Sequence, residues 1–175
     1  MNAPAGALVS ALPDRACGPH EWRGRCLDIF SRAEQPVFRA CEVARDRGLV
    51  RKVEHLAGQR LDSLHGVIGN HSWPTKQGEA IKNALAQWKA VRERRSFIAH
   101  GRMTVSLQQS GEWVALLDLT VFHANLRTDD RWAVTESEAT QFLDEIMRAS
   151  HNLGTQLGQV REAMQNGLRS TTETQ

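Results

Sequence analysis

The sequence is poor in cysteine, in lysine and in long apolar runs, and each shortage closes off a class of protein. Its three cysteines, Cys17, Cys26 and Cys41, are odd in number and form no C-x-x-C pair. That argues against a disulfide framework and against a Cys-rich zinc site. No stretch approaches the roughly 18 consecutive apolar residues of a membrane span. The opening "MNAPAGALVSALPDRACG" has neither a basic n-region nor a long apolar run, so it does not read as a signal peptide. A reducing cytoplasm is the expected setting. No G-x-x-x-x-G-K-[ST] loop is present, which leaves NTP hydrolysis without support. His55, His65 and His71 fit no familiar ligand spacing and have no carboxylate at a ligand offset, so neither metal nor cofactor is expected. There is no self-similarity at solenoid spacing.

What is present describes one globular domain. The 175 residues are 41% apolar and 24% charged, enough to bury a core. The net charge of +2 forces no polyanionic partner on bulk grounds. Eighteen arginines stand against four lysines. A planar guanidinium fork suits phosphate, and a GC-rich coding bias produces the same excess.

The hydrophobic pattern predicts a helical bundle. Residues 1–18 are rich in Ala, Gly and Pro and read as a flexible N-terminal arm. From 21 to about 48, Trp22, Cys26, Ile29/Phe30, Ala33, Val37, Ala40/Cys41 and Ala44 recur at threes and fours. Pro36 lies inside this run and is expected to kink or split it, with Ser31 to Glu34 as a capping box in the second case. A second helix is expected from about 49 to 67, with Val53, Leu56, Leu61 and Leu64 inward, followed by a loop at "GNHSWPT". A third runs from about 76 to 99, with Ile81, Ala84, Trp88, Val91, Arg95 and Ile98 on one stripe. Gly101 stands where a left-handed cap residue is wanted.

The period then changes to two. "MTVSL" and "WVALLDLTVF" read as a β-hairpin, with room for a short third strand near "RWAV", and Asp129-Asp130 reads as a turn. Trp113 and Trp132 are assigned to packing the hairpin, with base stacking as the alternative. Thr135 to Glu138 is a capping box. It opens a long helix whose stripe is Ala139, Phe142, Ile146, Ala149, Leu153, Leu157, Val160 and Met164. The domain covers residues 19–166, and 167–175 read as a disordered tail. The fold class is mainly α: an up-down bundle of four to five helices with a β-hairpin between the last two main helices.

Two residues stand out in "RERRSFIAHGRMTV". Arg95 occupies a stripe position between Val91 and Ile98, where an apolar residue is expected. A guanidinium aimed at a buried seam needs a partner, either a carboxylate in the bundle or a phosphate in a cleft. His100 ends the helix, where a cation is favourable with the dipole. On an ideal helix, residues five apart project about 140° away from each other. They converge only if the helix stops before His100, or with equivalents from a second chain across a dimer axis.

Here "RSFIAHG" resembles the R-x4-6-H motif of HEPN domains (higher eukaryotes and prokaryotes nucleotide-binding). The order of Arg95, Ser96, Ala99, His100, Gly101, a hairpin and a T-x-x-E-capped helix resembles bacterial members of that family. The likeness covers roughly residues 20 to 165 in architecture, and its specific part is about seven residues long. The spacing is also met by Arg15 with His20, by Arg60 with His65, and by Arg94 with His100. Arg95 with His100 is preferred for the stripe position, the following Ser96 and the hairpin.

The resemblance implies a metal-independent RNA endonuclease, a toxin or defence component, acting as a homodimer with a composite cleft. In it His100 would move protons at a 2′-hydroxyl or leaving oxygen, Arg95 would hold the phosphate, and Ser96 would position the phosphate or the histidine. Arg92, Arg94 and Arg102 would contact flanking RNA. A minimal nucleotidyltransferase is the antitoxin partner it implies. Many HEPN domains are non-catalytic, so a dimerising interaction module that binds a protein, nucleotide or RNA is the alternative.

Overall fold

The computed structural model describes residues 17–71, 73, 75–123 and 126–166. The expected arm, but for Cys17 and Gly18, and the expected tail lie outside the described residues. The chain is mainly helical, in the order α1 (Pro19–Asp46), α2 (Ala57–Asn70), α3 (Thr75–Arg92), α4 (Arg95–His100), β1 (Arg102–Leu107), β2 (Trp113–His123), β3 (Leu126–Thr135) and α5 (Glu136–Gln165). Among the described residues no helix is long and apolar enough to cross a membrane.

The two longest helices, α1 and α5, form the spine, packed against each other along most of their length. On α1 the buried residues are Trp22, Cys26, Phe30, Ala33, Val37, Ala40, Cys41 and Ala44. That is the stripe the spacing predicts, less Ile29, which packs against the core half-buried. Pro19 starts the helix, where its fixed φ and missing N–H cost nothing. Gly48, at φ 71°, receives the chain at the other end, and the Gly48 and Leu49 N–H groups donate to Arg45 and Ala44 carbonyls. Pro36 does not split α1, contrary to one expectation, and Ser31 to Glu34 cap nothing. Glu34 is a mid-helix residue turned toward α2 and α4.

On α5 every residue of the expected stripe is buried, and Leu143 with them. The capping box is present. The Thr135 N–H donates to Glu138 Oε2 at 2.8 Å, and the Glu138 N–H donates to Thr135 Oγ1 at 3.3 Å. Burying a large aliphatic or aromatic side chain contributes about 1.5–3 kcal/mol, so these two stripes dominate the driving force for the bundle.

Three boundaries differ from the sequence expectation. The second helix begins at Ala57 rather than near 49, and Leu56 is 64% exposed instead of inward. The Arg60 guanidinium explains the late start, because its Nη1 donates to the Glu54 and His55 carbonyls and holds the entry segment in an irregular course. The third helix ends at Arg92. A turn at Glu93 and Arg94 follows, tightened by Glu93 N–H to Ala90 O and Arg94 N–H to Val91 O. The third strand is ten residues long, with Asp129 and Asp130 inside it rather than in a turn. Asp129 is held there by Thr120 Oγ1, which donates across the ladder at 2.6 Å.

The strands form one antiparallel sheet in the order β1-β2-β3, more than the hairpin expected. Leu117 stands opposite both Met103 and Trp132. Ala115, Leu117, Leu119 and Val134 therefore face the helices, while Arg102, Asp118 and Arg131 form a row on the outer face. Trp22 anchors the inner face. It lies 6.0 Å from Trp113 and 5.8 Å from Trp132, and its Nε1–H donates to Ala139 O at 2.9 Å. Both sheet tryptophans are thus packing residues. All three cysteines are free thiols, and burial pushes Cys26 up to about 12 and Cys41 up to about 11.

Candidate functional site around helix α4

Helix α4 is one and a half turns long and is held at its middle. Ile98 is fully buried, and the Arg23 Nε–H on α1 donates to the Ile98 carbonyl at 2.7 Å. That bond satisfies one of the carbonyls a helix end leaves open. Gly101 follows, but at φ −64° and ψ 139° it is extended and not left-handed. Its requirement is steric instead. A Cβ there would sit 2.5 Å from the Phe97 carbonyl oxygen and 3.4 Å from Leu117 Cβ. Glycine lets the chain turn from α4 directly into β1 against the sheet.

This anchoring leaves Arg95 at the first residue of α4 and His100 at the last. The helix is unbroken between them, so the break falls before Arg95 and does not bring the two together. The ideal projection of about 140° therefore stands within one chain. His100 and Ser96 are exposed.

Arg95 has a partner. Its Nη2 lies 2.8 Å from Glu34 Oε1, with the arginine side chain 36% and the glutamate 27% exposed. The distance is an ion pair's, but the angle is not a hydrogen bond's, since Glu34 Oε1 has no hydrogen-bond partner of good geometry. Glu34 also faces Arg60, whose Nη2 is 3.9 Å from Oε2 and whose side chain is 15% exposed. Arg60 additionally lies over the Phe38 ring, 5.7 Å from its centroid. Arg92 lines the same recess, its guanidinium close against Gly58.

The other expected contact residues lie apart from this cluster. The Arg94 guanidinium lies over the Trp132 ring, 5.1 Å from the centroid. Arg102 begins β1 on the outer face of the sheet, 83% exposed and 3.7 Å from Asp118. The rival histidine, His65, is exposed on α2 in a shallow recess with Asp62 and Lys89. Its partner Arg60 turns instead toward Glu34 and the carbonyls before α2. Of the pair nearest the arm, Arg15 lies outside the described residues and His20 is exposed. Among the described residues no three His, Cys, Asp or Glu side chains are grouped to hold a metal ion.

Sequence reasoning missed Glu34 as the carboxylate that meets Arg95, and it missed the convergence of Arg60 and Arg95 upon it. The signal was half present, because a stripe arginine demands an anion. Glu34 was hidden by its second reading as part of a capping box ahead of Pro36. Compared with protein-family models, with curated proteins and with solved structures, the chain matches none.

Proposed function

We propose that the chain is a metal-independent RNA endonuclease of the HEPN type, acting as a homodimer in a toxin or defence role. The observation that carries this reading is the placement of Arg95 and His100 at the two ends of one anchored short helix, His100 exposed and the Arg95 side chain 36% exposed. About 7.5 Å of axial rise and 140° of rotation separate them. One chain therefore does not close both groups on a single phosphate, and the reading requires a second copy across a twofold axis.

In that composite cleft each residue type has a task. Histidine as a residue type titrates near neutrality, so His100 takes the proton of the attacking 2′-hydroxyl and returns one to the leaving oxygen. Arg95 binds the non-bridging oxygens and stabilises the charge that develops on them. Ser96, beside Arg95, positions the phosphate. Arg92, Arg94 and Arg102 hold flanking phosphates. A minimal nucleotidyltransferase is the proposed antitoxin, as the resemblance implies.

One contact favours a second reading. Arg95 is already paired with Glu34, as a purely structural arginine would be. On that reading the chain is a HEPN-like interaction module that dimerises and binds a protein, nucleotide or RNA without cleaving it.

Cleavage of total RNA by the purified protein in EDTA, beside His100→Ala, separates the two. The nuclease reading predicts cleavage that survives chelation and falls by at least about a hundredfold in the variant. A folded dimer that leaves RNA intact, or equal cleavage by both proteins, contradicts it.

A further inference from the structure

Two arginines that belong to rival motifs in the sequence meet on one carboxylate in the fold. Arg95 from α4 and Arg60 from α2 come within 2.8 Å and 3.9 Å of Glu34 on α1, and Arg92 from α3 lines the same recess. Three guanidinium charges against one carboxylate leave an excess of two positive charges in a half-buried place. Such an excess is costly where solvent is scarce, unless a further anion offsets it.

The hydrogen bonding is incomplete in the same spot. Arg60 Nε is buried without an acceptor, and Glu34 Oε1 accepts no well-directed bond although Arg95 Nη2 is 2.8 Å away. Buried polar groups are ordinarily satisfied, so two exceptions in one cluster call for a physical reason. A carboxylate offers two coplanar oxygens. A phosphate offers oxygens at tetrahedral angles and engages the forks of more than one arginine. The recess itself measures about 10 Å³, roughly the space of a single water. A phosphate therefore enters only by taking the place of the carboxylate.

We propose that Arg60, Arg92 and Arg95 form a phosphate-binding site, and that Glu34 occupies it as an internal stand-in anion until a phosphate displaces it. The exchange needs no movement of α1, because Glu34 is a partly exposed side chain that swings outward on its own torsions. The ligand is a phosphate group, whether free or in the backbone of an RNA strand. Arg92 and Arg95 are shared with the proposed cleavage site and Arg60 and Glu34 are not, so phosphate binding is read here separately from cleavage.

The test is calorimetric titration of the full-length protein with sodium phosphate at constant ionic strength. A parallel arm uses a short 2′-O-methyl RNA strand, which carries the backbone phosphates and resists cleavage through the 2′-hydroxyl. Glu34→Gln removes the stand-in charge and is expected to bind phosphate about tenfold more tightly than the unaltered protein. Arg60→Gln and Arg92→Gln are each expected to weaken binding about tenfold. Arg131→Gln, on the outer face of the sheet, is expected to leave it unchanged. Arg60→Gln also loses two carbonyl contacts, so its fold is checked by circular dichroism. Arg92→Gln carries the test if that variant unfolds. The same order of variants in the RNA arm assigns the site to a strand backbone, and that order with phosphate alone assigns it to the free ion. Equal affinity in the unaltered protein, Glu34→Gln and Arg92→Gln overturns the proposal. So does a folded Glu34→Gln protein that binds neither phosphate nor RNA saturably.

Discussion

Two arginine-rich regions of this molecule use the same side chains to opposite ends. On the outer face of the sheet, Arg102, Arg127 and Arg131 stand with Asp118 and Asp129 beside an open cleft of about 600 Å³. Each of these three arginines lies within 4 Å of one of the two carboxylates. The Arg131 Nε–H donates to Asp118 at 2.6 Å, and Arg127 bridges to Asp129 at 3.0 Å. At the junction of α1, α2, α3 and α4, Arg60 and Arg95 converge on Glu34 with Arg92 beside them, around a recess of about 10 Å³ in which Glu34 is the one carboxylate among the described lining residues. Pairs that are complete and solvated dissipate their charge locally and contribute little to stability. A cluster that is incomplete and partly buried keeps an unspent positive field. The larger cleft is the charge-paired one, and the smaller recess is the one that holds unmatched guanidinium charge.

The largest difference between the regions is expected in activity. Arg95→Ala should lower RNA cleavage by about two orders of magnitude or more, the scale of removing a group that stabilises transition-state charge. Arg102→Ala, on the sheet, should change the same rate by less than about threefold, since the proposed mechanism gives it only a flanking contact. A parallel gel assay of both variants reads this. Equal losses would place the sheet face in the site and erase the contrast.

A smaller difference is expected in stability. Arg60→Ala removes two carbonyl contacts and one partner of Glu34, and should cost about 2 kcal/mol in urea unfolding, below the full value of a deeply buried pair because Glu34 is partly exposed. Arg131→Ala should stay within about 0.5 kcal/mol. A cost at Arg131 as large as that at Arg60 would mean the sheet pairs are not merely solvated.

The smallest effect concerns pH. The Arg131 guanidinium bonded to Asp118 holds that carboxyl below its usual value, and Arg102 adds to this. A depressed folded value means that the pair's contribution is present above the unfolded value. It is lost as pH falls from about 4 through the lower folded value. Asp118→Asn should therefore flatten the acid limb of a stability-versus-pH curve slightly and leave stability at pH 7 in ordinary salt nearly unchanged. A large loss at pH 7 would contradict the view of this face as solvated.

Much of the fold was legible because burial on α1 and α5 follows the helical period without interruption. Trp22 to Ala44 and Ala139 to Met164 are core stripes in the sequence and in the structure. The Thr135–Glu138 box was legible because capping is local chemistry. The start of α2 was not. Leu49, Val53 and Leu56 continue an apolar spacing, and only the long reach of Arg60 to the Glu54 and His55 carbonyls shows why that segment stays irregular. Asp129-Asp130 has a turn's composition, and its place in a strand depends on cross-strand partners that no local pattern encodes. Arg95 was legible as an anomaly and His100 as a helix end. Their surroundings were not, since Glu34 lies 61 positions before Arg95 in the chain and reads locally as a cap.

The central claim is a composite site built from Arg95 of one chain and His100 of another. Mixing the two single variants tests it most directly. Arg95→Ala and His100→Ala proteins are unfolded together, refolded as a mixture and assayed for RNA cleavage in EDTA. Random pairing makes half the dimers mixed, and each mixed dimer holds one intact pair of two. The account predicts that two inactive proteins recover about a quarter of the unaltered activity. A refolded mixture that stays as inactive as its parents, with mixed dimers shown to have formed, would contradict it.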